Sequence, residues 1–152
     1  MSIEARLKEL GIAIPEAAKP IAAYVPGMVA GNLLFISGQL PLAEGKLVLT
    51  GKLGRDLPIS EGRTAARQSA INCLAVLKNH ISNWEQVLQI VKITGYVQSA
   101  DDFYDQAQVV NGASELLQEI FGEKGRHARA AVGVNTLPLN APCEIEMIVM
   151  IK

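Results

Sequence analysis

The stretch His127-Ala-Arg-Ala-Ala-Val-Gly-Val-Asn135, continued through Leu137-Pro138 to Cys143-Glu-Ile-Glu-Met-Ile-Val-Met-Ile151, decides the fold. Read at period two, it is two strands joined by a short connection that Pro138 and Pro142 punctuate. In the last strand Cys143, Ile145, Met147, Val149 and Ile151 form one wholly apolar face. The other face opens with Glu144 and Glu146 before turning to Ile148 and Met150. In the preceding strand Ala128, Ala130, Val132 and Val134 make the apolar face, leaving His127, Arg129, Ala131 and Gly133 on the other. If the two strands pair as neighbours, Arg129 and Glu144 face one cavity. A guanidinium with only small neighbours on its own face suits a carboxylate, which it grips with two parallel hydrogen bonds. An ordinary cross-strand Arg–Glu pair uses the same residues, and residue types alone leave both readings open.

Working outward, Gly125 leads into this pair from a helix with Phe103, Ala107, Val110, Ser114, Leu117 and Phe121 on one face. Asp101 and Asp102 are its expected caps and Gly122 its stop. Before it, Val87 to Gln98 reads as a strand, apolar at Val91, Ile93, Gly95 and Val97, and polar at Lys92, Thr94, Tyr96 and Gln98. A long helix precedes that strand: Ile59-Ser60-Glu61 supply a hydrophobic residue, a cap and an acidic first turn. Ala66, Ala70, Cys73, Leu74, Leu77 and Ile81 make its stripe, residues 79–83 end it, and Trp84 packs in the turn. Towards the N-terminus the expected strands are Leu47 to Thr50 at an edge, Asn32 to Ser37, and Ile21 to Val25, the last closed by Pro26-Gly27. Ser2 caps a short helix, Ile3 to Leu10, packed on the core as part of an extension over residues 1–18. The whole reads as one α+β domain over residues 1–152, a mainly antiparallel sheet with two helices on one face. The other sheet face is polar but weakly charged, which fits a partner subunit.

Composition narrows the function. Hydrophobic residues are 49% and charged residues 19% of 152, so the chain builds a core and has few charges to spare for its surface. The net charge of −1 and the absence of a basic cluster argue against nucleic acid, whose binding draws mainly on phosphate contacts. No apolar run approaches a membrane span, and Met1-Ser-Ile-Glu-Ala-Arg-Leu-Lys lacks the apolar core of a signal peptide, so a cytoplasmic protein is expected. Cys73 and Cys143 sit in apolar patterns without metal-binding spacing and are expected as buried free thiols. No metal or cofactor is expected.

Several spaced motifs together resemble one family. They are Ala23-Tyr24-Val25, Gly31-Asn-Leu-Leu-Phe-Ile-Ser-Gly-Gln39, Gln68 with Asn72, and Val91-Lys-Ile-Thr-Gly-Tyr-Val97 with Asp102-Phe103. Val110-Asn111, then Ala128-Arg-Ala-Ala-Val132 with Leu137-Pro138 and Glu144-Ile-Glu146, complete the set. In this order, over residues 19 to 152, they resemble the YjgF/RidA family of reactive-intermediate imine/enamine deaminases, also labelled endoribonuclease L-PSP. The resemblance implies a chorismate-mutase-like fold, a homotrimer whose sheets form a central barrel, and ligand clefts between subunits. It implies hydrolysis of small 2-imino or enamine acids to 2-keto acids and ammonia, a form of metabolite damage control. It assigns the substrate-anchoring arginine to Arg129, the acid beside the attacking water to Glu144, and the cleft tyrosine to Tyr24. It places Ser37, Gly38, Asn111 and Ala131 around the substrate. Ala131 stands where many members carry cysteine, which removes thiol-dependent regulation at that position. The N-terminal helix and the longer segment from Leu47 to Leu57 also depart from the shortest members.

Other polar residues read more blandly. His127 shares a strand face with Arg129, about 7 Å along it at about 3.3 Å per residue. His80 is a surface or capping residue, Glu146 an interface or ion-pair residue, and Arg63, Arg67 and Lys92 are surface or inter-subunit charges. A non-catalytic module that binds 2-keto acids needs the same Arg129, and a ribonuclease lacks the basic groove it would want.

Overall fold

A computed structural model describes residues 1–20 and 22–152. Its centre is a five-stranded sheet in the order β1-β2-β7-β5-β6, formed by β1 (Gly27–Ala30), β2 (Leu33–Gln39), β5 (Val87–Gln98), β6 (Ala128–Val134) and β7 (Cys143–Ile151). A separate two-stranded hairpin joins β3 (Leu42–Ala43) to β4 (Lys46–Leu47). The helices are α1 (Ile3–Glu9), α2 (Ile59–Lys78) and α3 (Gln106–Phe121). All strand pairs are antiparallel except β5 with β6, which run parallel because α3 carries the chain back between them.

One face of the sheet is the core. Every second residue of β7, from Cys143 to Ile151, is buried, as are Leu34, Ile36, Ile90, Ile93 and Val97 on neighbouring strands. They meet Ala66, Ala70, Cys73, Leu74 and Leu77 of α2 and Val110, Ala113 and Leu117 of α3. The two helices cross closely at Gly112, where a Cβ would overlap the backbone carbonyl of Arg63. Glycine there sets the spacing of the helix layer. α1 starts at the Ser2 cap, whose hydroxyl accepts from the Ala5 amide at 3.1 Å, and it buries Ile3 and Leu7. Trp84 is buried in the turn Trp84–Gln86, its ring 6.3 Å from that of Phe121. Gly122 ends α3 at φ 61°, a conformation that costs glycine little.

Several expectations shift. The first strand is Gly27–Ala30: residues 22–24 bend instead, and Ile21 lies outside the described residues. Pro26, expected to close the strand, lies just before it instead, its carbonyl accepting from the Ser37 amide at 2.8 Å. Leu47 to Thr50 makes no edge strand in the sheet, because Leu47 closes the small hairpin on Leu42. Pro58 occupies the cap position of α2, and Ser60 is inside the helix with its carbonyl accepting from Thr64. Asp105, not Asp101 or Asp102, precedes α3. A register shift between Ile90 and Lys92 buries Ile90 in the core in place of Val91.

The largest correction concerns the strands that decide the fold. β6 and β7 are not neighbours, since β5 lies between them. Arg129 is in register with the buried Ile93, and so projects on the helix side of the sheet. The face read as apolar, containing Ala128, Ala130, Val132 and Val134, is the outer one, and Val132 is 43% exposed on it. Glu144 is in register with Tyr96 on that same outer face. Within one chain, Arg129 and Glu144 therefore point to opposite sides of the sheet.

Candidate functional site

Arg129 lies on the edge strand β6, where α3 leaves it partly uncovered. Its Nη1 donates to Asn111 Oδ1 at 2.7 Å and to Ser114 Oγ at 3.1 Å, both on α3. Those two bonds use both Nη1 protons. Among the described residues Nε and Nη2 have no hydrogen-bond partner, and no carboxylate forms a salt bridge with the side chain. The free Nε–Nη2 edge is the side of a guanidinium that meets a carboxylate with two parallel N–H bonds. Ala131 follows on the same face, opposite Gly95, and its small side chain keeps the space beside Arg129 open. Asn111, expected around the substrate, holds the arginine.

The second cluster is on the outer face, where β2 meets β7. Gly38 lies so close to Glu144 that a Cβ there would overlap its carboxylate. Ser37 donates its hydroxyl to the Val25 carbonyl at 2.9 Å, which ties the segment before β1 to β2. Tyr24, on that segment, is 54% exposed. The Glu144 carboxyl is half-buried, and burial together with the charge of Glu146 pushes its pKa upward. Glu146 itself accepts a hydrogen bond from the Tyr96 hydroxyl at 2.8 Å rather than forming an ion pair. A cavity of about 300 Å³ on this face is lined by Val25, Phe35, Ser37, Lys92, Thr94 and Glu146. A larger one, about 500 Å³, lies between the segment after α1 and α2 and is lined by none of the expected site residues.

The expected residues thus fall into two groups: Arg129, Ala131 and Asn111 on the helix side at one sheet edge, and Ser37, Gly38, Glu144 and Tyr24 towards the outer face. Ser114 is inconspicuous in the sequence because it falls on the stripe with Val110 and Leu117. A hydroxyl three residues after Asn111, on an otherwise apolar face, was the available signal. Cys73 and Cys143 are free and buried, and burial pushes the Cys143 thiol up to about 12 and that of Cys73 higher still, so neither supplies a thiolate. No helix among the described residues is long and apolar enough to cross a membrane.

Comparison with known proteins agrees with this architecture. The model of the family described as "YjgF/chorismate_mutase-like, putative endoribonuclease" matches residues 4–151. The crystal structure of a "putative endoribonuclease" from Shewanella oneidensis superposes with a TM-score of 0.96 at 34% identity, covering 99% of this chain and 100% of that one. Protein Atu1372 from Agrobacterium tumefaciens, described as of unknown function, gives 0.93 at 46% identity over 99% and 92% of the two chains. Among curated relatives, the 2-iminobutanoate/2-iminopropanoate deaminase of Dermatophagoides farinae is 30% identical over 141 residues, 93% of this chain and 95% of that protein. With an α+β fold shared along its whole length and a family model spanning nearly every residue, the chain belongs to the YjgF/chorismate-mutase-like family.

Proposed function

We propose that the protein hydrolyses small 2-imino acids, and the enamines that tautomerise to them, to 2-keto acids and ammonia, at a cleft built by two copies of the chain. The observation that carries this reading is Arg129: a guanidinium fixed through Nη1, with its carboxylate-binding edge unpaired at an open sheet edge. Glu144 supplies the second requirement, a half-buried acid whose proton is held more tightly than usual. Because the two side chains point to opposite faces of one sheet, a neighbouring copy must bring its Glu144 face against this chain's Arg129 edge. The exposed apolar residues Met28, Phe35 and Val132 on the outer face support such an assembly. A homotrimer, as the family resemblance implies, satisfies it by placing each Arg129 edge against the next copy's outer face.

In this reading the substrate carboxylate docks on Nε and Nη2 of Arg129, which sets the imine carbon near a water held by Glu144. The carboxylate of Glu144 takes a proton from that water as its oxygen bonds to the imine carbon, and the C=N π pair moves to nitrogen. Glu144 returns the proton to nitrogen. The C–N bond then breaks, the hydroxyl oxygen forms the keto C=O, and its proton departs with the ammonia. Glu144's raised affinity for a proton suits a group that takes one and gives it back. Fixing the reactants relative to one another supplies much of the acceleration. Tyr24 closes the cleft from the neighbouring copy, with Ser37 and Gly38 lining it and Ala131 at the narrow end.

The test is keto-acid release from imines generated in situ by an amino-acid oxidase. Acceleration by the wild type that is lost in Arg129→Ala is the expected result. A wild type that accelerates no small imine overturns the deaminase reading, and binding of 2-keto acids without turnover would then mark a small-carboxylate binding module.

A further inference from the structure

Asn111 is not the only group holding Arg129. Ser114 Oγ, 3.1 Å from Arg129 Nη1, is also 2.8 Å from His127 Nε2, and His127 Nδ1 is 2.7 Å from the Gly125 carbonyl oxygen. The chemistry of these four groups fixes where the protons lie. A carbonyl only accepts, so Nδ1 carries the imidazole hydrogen. A guanidinium only donates, so Ser114 Oγ accepts from Arg129. The Nε2 lone pair of a neutral imidazole then receives the one proton that Ser114 has to give. The chain of donors runs one way, from Arg129 through Ser114 and His127 to Gly125, and each bond polarises the next.

Burial holds His127 below its ordinary pKa, the Gly125 bond opposes that shift, and the charge of Arg129 adds to it, so the imidazole is neutral at physiological pH. Other charges nearby are engaged elsewhere. Arg126 pairs with Glu123 at 3.6 Å, and Glu115 of α3 with Arg63. Lys124 is exposed on the turn, and Lys92, in register with Ala128, projects from the opposite sheet face.

We propose that His127, acting through Ser114, is a positioning residue for Arg129. Its unprotonated Nε2 orients the Ser114 hydroxyl so that the second Nη1 proton is taken up within the chain. The Nε–Nη2 edge is thereby left aimed at the carboxylate of an incoming small acid. The proposal rests on Arg129 being the carboxylate anchor, and the test separates the two.

The experiment titrates 2-oxobutanoate by calorimetry into the wild type, His127→Gln, His127→Asn, Ser114→Ala and Arg129→Ala, with thermal unfolding of each. Glutamine places its amide oxygen near the position of Nε2 and keeps the acceptor facing Ser114. Asparagine reaches only the position of Nδ1 and keeps the Gly125 contact. The expected result is near-wild-type affinity for His127→Gln and roughly tenfold weaker binding for His127→Asn and Ser114→Ala, the loss of about one hydrogen bond to a charged group. The double variant Ser114→Ala/His127→Asn is expected to bind no more weakly than either single variant. A residue that merely pins the Gly125 turn gives the reverse order, with asparagine tolerated and glutamine lowering both affinity and Tm, and that result overturns the proposal. If Arg129→Ala abolishes binding while His127→Asn and Ser114→Ala retain it, the relay falls and the anchor stands. If Arg129→Ala binds like the wild type, or the wild type binds nothing, the anchor falls and the relay with it.

Discussion

Gly38→Ala perturbs the proposed water-activating group without changing any charge. The alanine Cβ would overlap a carboxylate oxygen of Glu144 and lie 2.9 Å from its Cδ and 3.0 Å from its Cγ. Comfortable carbon–carbon contact begins near 3.5 Å, so these carbons must withdraw by about 0.6 Å and the overlapping oxygen by roughly 1 Å. Gly38 does not have a positive φ, so the backbone accepts alanine. The clash falls on the end of a flexible side chain, so the cost to folding stays within about 1 kcal/mol. Misplacing a catalytic group by that distance costs on the order of 100-fold in rate, about 2.7 kcal/mol of barrier. The assay is steady-state imine hydrolysis beside thermal unfolding and 2-oxobutanoate titration. The expected outcome is a folded protein that binds the keto acid normally and has lost about two orders of magnitude in kcat. A folded variant with kcat within about twofold of wild type refutes the placement of Glu144 beside the reacting water.

Glu144→Gln should raise Tm at pH 7.5. Burial and Glu146 raise the folded-state pKa of Glu144 above its ordinary 4.5, so ionising it costs the folded state more than the unfolded one. That penalty is absent below pH 4.5 and grows as pH rises through the folded value, so the Tm gain should vanish in acid; a gain that persists there contradicts the assignment. Gly112→Ala drives a Cβ into the Arg63 carbonyl, which unlike a side chain has little room to move, and should cost about 1–3 kcal/mol. Urea unfolding should show a lower midpoint at unchanged m. Phe35→Asp places a charge on the outer face beside Met28; light scattering should show dissociation to monomers, with loss of activity although Arg129 and Glu144 are unchanged.

Strong periodicity made much of this fold legible. The apolar alternation of Cys143 to Ile151, the stripe of α2 as far as Leu77 and the extent of Val87 to Gln98 all matched, whereas Ile81 falls beyond the end of α2. What failed depended on long-range geometry. Sequence adjacency suggested that the two C-terminal strands pair, but α3 returns the chain to the outer edge of β5, which then separates β6 from β7. The small residues of β6 gave no reliable sign of which face is inner. Ala128, Ala130 and Val132 look like core, yet they face outward, and Arg129 takes the inner side at the edge. The motifs named Arg129, Asn111, Gly38 and Glu144, and the structure shows Asn111 bonded to Arg129 and Gly38 packed on Glu144. The orientation of Arg129 and Glu144 to opposite faces had no sequence signal, because it is a property of register.

The proposed sharing of the site between copies makes a sharp demand on mixed assemblies. Arg129→Ala and Glu144→Gln subunits should each be inactive alone. Co-expressed in equal amounts, they should regain about a quarter of wild-type activity, since random pairing joins an intact Arg129 to a neighbour's intact Glu144 at that share of interfaces. Mixed oligomers, verified by differential tags, that remain as inactive as either parent would contradict the two-copy site.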